Sequence, residues 1–496
     1  MFFCHQNNEK RISEILEGVE ILKFRGNPNT VVSRLSSNSK DVRENYVFVA
    51  RKGRKFDGHD FCLEAVLKGA SSIIAEKDIS IPLQPKYFAI VKDSKSASGI
   101  MAKNLYDNPT KNMLVIGVTG TKGKTTATHI LAKTFSLIGY KTLLLGSISN
   151  TLTTPESNDT LRICRISSAE ALCMEVTSVA VVEKRLEGIN FDCGVFLNLS
   201  HDHLDIHKTM DEYFSAKTNF FTTYLNQSEK EKKCAIVNID DKYGGILADN
   251  LKKIGMQVIE FSKNSKTAIY LENFTSTLRH TEGIINAFGE KIEFETNLSG
   301  DYNIDNILAS VAVLKYFGIP KSEIENGIRN THYIKGRMEL INEGPFIFVD
   351  YAHTPESLNS ALRFLKNNKT DDSKLIVVFG CGGDRDKEKR PLMGKIAAEI
   401  ADLVFVTSDN PRSENPVNII EDILKGIENT KREKINVFIS REEAILKVIE
   451  KASKKDLVLI AGKGHEEYQI LKDEVIDFSD VKVAKMALKK LVVAGK

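Results

Sequence analysis

One stretch constrains this chain more than any other. The apolar run NMLVIGV at 112–118 enters Gly117-Val118-Thr119-Gly120-Thr121-Lys122-Gly123-Lys124-Thr125-Thr126, and a helical pattern follows to about Ile138. An apolar strand that turns through glycines into a helix is buried on both faces, which calls for a layered α/β sheet. The glycines let several backbone N–H groups face one anion, and the helix N-terminus adds positive potential. Lys124 can then reach the β- and γ-phosphates, and the Thr125 hydroxyl is placed to hold Mg2+. The strict phosphate-loop pattern has glycine where this chain has Val118, so the turn is a G-T-x-G-K-T-T variant. Gly120, Thr121, Lys122, Gly123, Lys124, Thr125 and Thr126 are expected to cradle ATP or GTP. A tight turn with an incidental lysine would not require the strand before it and the helix after it. The motif alone is silent on the reaction.

Short apolar, β-branched runs recur along the chain, most of them separated by helical patterns. They are 46–50, 71–76, 87–91, 141–146, 193–199, 234–239, 346–351, 374–380, 403–408 and 457–462. Stretches 441–453 and 480–492 repeat apolar residues at helical spacing. The pattern predicts mainly parallel sheets covered on both faces, with ligands beyond the strand C-termini. A length of 496 residues suggests about three domains, each able to bury its own core. Lys+Arg is 69 against Asp+Glu 66, so no basic field is available to hold nucleic acid. Runs such as 457–462 are far short of the roughly 20 residues of a membrane span. The first residues turn polar after Phe3, without a signal-peptide core. Cysteines at 4, 62, 164, 173, 193, 234 and 381 are odd in number and lack C-x-x-C spacing, which reads as reduced thiols. A soluble, cytoplasmic protein is expected.

After the strand CGVFLNL comes Asn198-Leu199-Ser200-His201-Asp202-His203-Leu204-Asp205-Ile206-His207. Three histidines beyond a strand end could form a solvated loop or a metal site, and on their own neither reading wins. With the phosphate loop upstream, Glu175 and His203 make a plausible Mg2+ shell with Thr125, although that ion prefers oxygen. Lys217, alone, reads as a surface helix lysine.

The order of these motifs resembles the Mur ligase family, ATP-dependent amide-forming enzymes of peptidoglycan synthesis. The carrying residues are the G-T-x-G-K-T-T loop, MEVTS from 174, NLSHDHLDIH from 198 and Tyr213-Phe-Ser-Ala216-Lys217. Lys335-Gly336-Arg337 and Asp350-Tyr-Ala-His353 continue the order, as does Gly300-Asp-Tyr-Asn303. The resemblance implies that Lys217 is carbamylated by CO2, with Lys124, His203 and Arg337 also catalytic. It places Asn303, Arg337 and Asp350 against ATP. It further implies a small α/β UDP-binding domain at 1–108 and a central P-loop ATPase-type parallel sheet at 109–335. A Rossmann-like amino-acid-binding domain at 336–496 would complete the chain.

Three late segments narrow the resemblance: 379–394 with Arg385, Asp409-Asn410-Pro411-Arg412, and 461–469 with Gly462 and Glu466. They are similar to the branch that adds the third peptide residue to UDP-N-acetylmuramoyl-L-alanyl-D-glutamate, and within it to members that take meso-2,6-diaminopimelate. Arg385 and Arg412 offer planar forks for a distal carboxylate that lysine lacks, and Glu466 would pair with the distal ammonium. On the UDP-sugar side the resemblance assigns Ser39, Thr153, Thr154, Thr177 and Arg185 to the substrate. Departures cluster there: Asn38 and Lys40 replace Asp and Arg, Leu152 replaces Asn, Val179 replaces His and Glu183 replaces Gln. The implied reaction passes through an acylphosphate, in a monomer that spans no membrane. Alternatives are the same ligase with L-lysine or another diamino acid, a folylpolyglutamate synthase, and a nucleotide-binding regulator with decayed catalysis.

Overall fold

The computed structural model describes residues 9–53, 56–149, 152–202 and 204–493. Every apolar run singled out above is a strand, from Tyr46–Val49 through Leu114–Thr119 to Leu457–Ala461. The two amphipathic stretches are the helices Arg441–Lys451 and Asp480–Val493. Three large sheets organise the chain.

The first sheet orders its strands as Ile21–Gly26, Tyr87–Val91, Ala70–Ala75, Tyr46–Val49 and Arg34–Ser36, parallel except for the first. In the central sheet Leu114–Thr119 lies between Ala171–Glu175 and Cys193–Phe196, all parallel. Their C-terminal ends therefore release the phosphate loop, the segment after Glu175 and the segment around Asn198 on one edge. The third sheet is also parallel in its interior, so the segments after Asp350, Phe379, Thr407 and Ala461 emerge together.

The central sheet extends further than sequence patterning indicates. Strands Ile269–Ser276, Thr281–Ala287 and Glu290–Thr296 form an antiparallel meander on its edge. Glu290–Thr296 alternates buried and exposed positions, so it offers no continuous apolar run. Ala171–Glu175 is wholly buried yet too short and mixed to stand out.

The first two sheets share a core. Ala97, Met101 and Leu105 of helix Ser94–Leu105 belong to the same buried cluster as Leu161 and Cys164 of helix Ser157–Ser167. Asp93 caps the former helix by accepting the N–H groups of Lys95 and Ser96. The six cysteines among the described residues are free and buried. No described helix is long and apolar enough to cross a membrane.

Candidate functional site

The phosphate loop is clamped from the side by Asn198. Its Oδ1 accepts the Lys122 N–H (2.9 Å), and its carbonyl accepts the Thr121 N–H (3.0 Å). Gly123, at φ +85°, starts the helix Lys124–Leu137, whose first turn carries no acidic residue to oppose an anion. A Cβ on Gly123 would lie 2.1 Å from Asn306 Oδ1, so both conformation and space require glycine. Thr126 is buried in that first turn. Lys124 Nζ donates to the carbonyls of Gly120 (2.8 Å) and Thr121 (3.0 Å). Burial lowers its pKa, and Glu175 opposes that shift.

Around Thr125 three oxygens converge. Its Oγ1 lies 3.0 Å from Glu175 Oε1 and 3.1 Å from Ser147 Oγ, while the Ser147 N–H donates to the same carboxylate oxygen (2.9 Å). Two hydroxyls and a carboxylate are hard donors that fit Mg2+. Among the described residues no group of three or more His, Cys, Asp or Glu gathers in a way that could hold a metal. His203, the expected imidazole ligand, lies outside the described residues. Ser147 went unnoticed in the sequence; its one signal is its place just after the strand Thr142–Leu145.

Lys217 is not the surface lysine its helix suggests. It is buried, with Nζ donating to the Gly120 carbonyl (2.9 Å) and standing 4.8 Å from the Tyr213 ring centroid. Burial, together with the nearby Lys124 cation, pushes its pKa well below the ordinary lysine value.

Arg337 closes the site from the third sheet's side. One guanidinium nitrogen donates to Thr125 Oγ1 (3.0 Å), the plane lies 4.6 Å from the Tyr351 ring centroid, and the buried Nε has no hydrogen-bond partner. An unsatisfied guanidinium nitrogen beside a phosphate loop suits an anionic oxygen. Asp350 Oδ2 accepts the Met338 N–H (2.7 Å), and burial raises the pKa of its carboxyl. Asn303 donates to the Ser299 carbonyl (2.7 Å). Asn303, Asp350 and the phosphate loop line one cavity of about 390 Å3, which Thr153 and Thr177 also border. The nucleotide-facing residues expected from sequence, other than His203, are thus together.

Two histidines join the same region. His465 Nε2 lies 3.0 Å from the Ser147 carbonyl, and His353 Nδ1 lies 2.8 Å from the Tyr351 carbonyl. Burial lowers both pKa values from 6.5 to about 4. Between those values the unfolded chain binds protons that the folded chain does not, so stability rises with pH. The contribution is complete above pH 6.5 and is lost as pH falls toward 4, about 3 kcal/mol for each histidine. Urea denaturation at pH 7.5 and pH 5 is expected to show that loss, and His353→Gln should make the slope shallower. An unchanged slope in the variant would remove His353 as its cause.

The amino-acid residues expected from sequence also converge. Arg412, at φ +52°, donates through one terminal nitrogen to the Gly383 carbonyl (2.8 Å). A Cβ on Gly382 would touch that nitrogen at 2.8 Å and the Arg385 Cγ at 3.7 Å, so the two arginines flank one glycine. Asn410 Nδ2 donates to Glu466 Oε2 (2.9 Å). Asp409 and Pro411 are buried, and Asp409 Oδ2 lies 3.0 Å from the Cβ position of Gly462.

On the remaining side Thr154 Oγ1 donates to the Glu175 carbonyl (2.8 Å) and lies 3.1 Å from Thr177 Oγ1, while Thr177 caps the helix Ser178–Val182. Arg185 and Arg51 both pair with Glu156, at 3.0 and 2.8 Å. Ser39 donates to Glu64 (2.9 Å). Two departures have visible partners. Asn38 caps a short helical turn by accepting the Lys40 N–H, and Glu183 pairs with Lys95 of the first sheet's helix at 2.5 Å. Leu152 is exposed, and nothing in the structure explains its presence or that of Val179.

Comparison with known proteins identifies the family. Residues 118–314 match the Mur ligase middle domain, and residues 336–464 match the Mur ligase glutamate ligase domain. The chain is 39% identical over 472 residues to the UDP-N-acetylmuramoyl-L-alanyl-D-glutamate–2,6-diaminopimelate ligase of Aquifex aeolicus (strain VF5), covering 92% of this chain and 94% of that protein. It is 36% identical over 499 residues to the like-named protein of Clostridium tetani (strain Massachusetts / E88), covering 97% and 100%. A solved structure of a ligase of that name is 27% identical, covers 97% of this chain and 99% of its own, and superposes with a TM-score of 0.66.

Proposed function

The chain belongs to the Mur ligase family, and from that membership we propose that it joins meso-2,6-diaminopimelate to the D-glutamate of UDP-N-acetylmuramoyl-L-alanyl-D-glutamate at the expense of ATP. The observation that carries the reading is the meeting of two sites. The loop bearing Glu466 touches Ser147 through His465, and Ser147 shares Glu175 with Thr125 of the phosphate loop. An amino acid held at Arg385, Arg412 and Glu466 would therefore sit beside the phosphates.

In the proposed reaction a D-glutamyl carboxylate attacks the ATP γ-phosphate, breaking its bond to the β-phosphate, to give an acylphosphate and ADP. The diaminopimelate amine adds to it, and phosphate leaves from the tetrahedral adduct. Lys124 and Arg337 neutralise charge on the transferring phosphoryl group, and the Gly120–Gly123 amides hold it in place. Thr125, Glu175 and Ser147 would hold Mg2+, which when bound supplies further charge neutralisation. His203 remains a proposed ligand on the family resemblance alone. Thr153, Thr154, Thr177 and Arg185 position the muramoyl peptide, and Ser39 the uridine end. Residues 1–108, 109–335 and 336–496 serve as UDP-, ATP- and amino-acid-binding domains. The enzyme works as a cytoplasmic monomer.

The test is phosphate release with ATP, Mg2+ and the UDP-dipeptide, comparing meso-diaminopimelate with L-lysine. Release is expected with diaminopimelate and at least about 100-fold less with lysine, because lysine leaves a guanidinium without its anion. A preference for lysine would overturn the pocket assignment, and silence with both would overturn the ligase reading.

A further inference from the structure

We propose that Lys463 is a positioning residue of the amino-acid site: its buried ammonium orients Asn410 and Glu466 and sets the pocket's charge to accept a single substrate ammonium. This rests on the ligase reading above and names a residue that reading does not use. Lys463 side-chain exposure is 0%, and a buried ammonium persists only where it is paired and hydrogen-bonded. Its Nζ donates to Asn410 Oδ1 (3.1 Å) and Glu466 Oε2 (3.0 Å), and it lies 3.7 Å from Asp409 Oδ1. All three partners were assigned to the amino acid on other grounds.

The hydrogen bonds admit one orientation of the Asn410 amide. Its Oδ1 also accepts the Ile470 N–H (2.9 Å), and its Nδ2 donates to Glu466 Oε2 (2.9 Å). Flipping the amide would set its NH2 against both the ammonium and the Ile470 N–H, donor facing donor. Lys463 and Asn410 thus converge on the same oxygen of Glu466 and hold that carboxylate in one pose.

The charges add to the argument. Asp409 and Glu466 bring two negative charges, and Lys463 brings one positive. With Arg385 and Arg412 left to the substrate's distal carboxylate, the remainder is one negative charge, which a single substrate ammonium balances. Without Lys463 two carboxylates would share a buried site with no cation between them to offset their repulsion. The neighbouring Arg441 does not alter this sum: its Nε and one terminal nitrogen donate to Asp480, each at 2.7 Å. The latter nitrogen also donates to the Ala461 carbonyl (2.9 Å), which pins the strand end that presents Gly462 and Lys463.

Steady-state kinetics of Lys463→Met, with all three substrates varied, test the proposal. KM for diaminopimelate is expected to rise about 100-fold, and KM for ATP and the UDP-dipeptide to change less than about threefold. An unchanged KM for diaminopimelate, or a parallel rise in all three constants, would overturn the positioning role. A second measurement covers a variant that does not fold. In the wild-type enzyme labelled with 15N at lysine Nζ, the Lys463 ammonium resonance is assigned by its loss in Lys463→Arg. It is expected to shift on adding diaminopimelate and to stay in place on adding an ATP analogue; no shift with diaminopimelate would also overturn the proposal. Wild-type phosphate release with diaminopimelate separates the two levels. Its absence sinks the ligase reading, whereas its presence beside an unaffected Lys463→Met sinks this inference alone.

Discussion

Arg337→Ala is expected to lower kcat by about 1,000-fold or more while changing the affinity for an ATP analogue by only a few-fold. Arg337 is separated by 212 residues from Thr125, yet it donates to that hydroxyl at 3.0 Å. Its Nε is buried without a hydrogen-bond partner, so the guanidinium still has a donor to offer. A donor waiting beside the phosphate loop gains most when negative charge spreads over the transferring phosphoryl oxygens, which is a transition-state effect. The backbone before it explains how it reaches that position. Gly336 has φ +66°, and a Cβ there would come within 2.1 Å of the His465 amide nitrogen. The backbone beside the arginine therefore packs directly against the loop that carries His465. Arg337→Lys keeps the charge but loses the planar fork, and is expected to recover about tenfold at most. Calorimetry with the analogue and rapid-quench phosphate release check the split. Equal losses in affinity and rate would mean that Arg337 serves ground-state binding, and an unchanged rate would remove it from the reaction.

What the sequence disclosed depended on whether chemistry left a local pattern. Parallel strands such as Leu457–Ala461 are buried on both faces, so their letters form continuous apolar runs. The meander at 269–296 is mostly exposed along Ile269–Ser276 and alternates along Glu290–Thr296, which hides it among polar segments. The phosphate loop is legible because one backbone turn imposes its glycines and lysine on adjacent positions. Ser147 is a lone serine after a strand, and its value comes from Glu175, which folding brings within hydrogen-bond reach. Lys463 sits between residues with assigned roles, and only its burial distinguishes it from a solvated lysine. Departures at 38 and 183 look like losses in the sequence, whereas the structure supplies a cap for one and Lys95 for the other.

Lys217→Met is expected to lower kcat by about 1,000-fold while leaving thermal stability equal or higher. The two effects have one origin. Lys217 Nζ and Lys124 Nζ donate to the same Gly120 carbonyl, at 2.9 and 2.8 Å, so two cations compete inside one buried pocket. Burial and this repulsion lower the Lys217 pKa well below the ordinary lysine value, which favours the neutral amine. A neutral buried amine can add CO2 and release a proton, becoming a carbamate that keeps one N–H for the Gly120 carbonyl. The sign of the local charge then inverts, and repulsion from Lys124 becomes attraction. Methionine fills similar volume without any charge, so the fold loses a desolvated amine while the reaction would lose the carbamate's anion. Wild-type activity is expected to fall in CO2-depleted buffer and to return with bicarbonate, whereas Lys217→Met responds to neither. Full activity in the variant, or indifference of the wild type to bicarbonate, would make Lys217 a structural amine and leave the Thr125–Ser147–Glu175 oxygens to hold the metal without it.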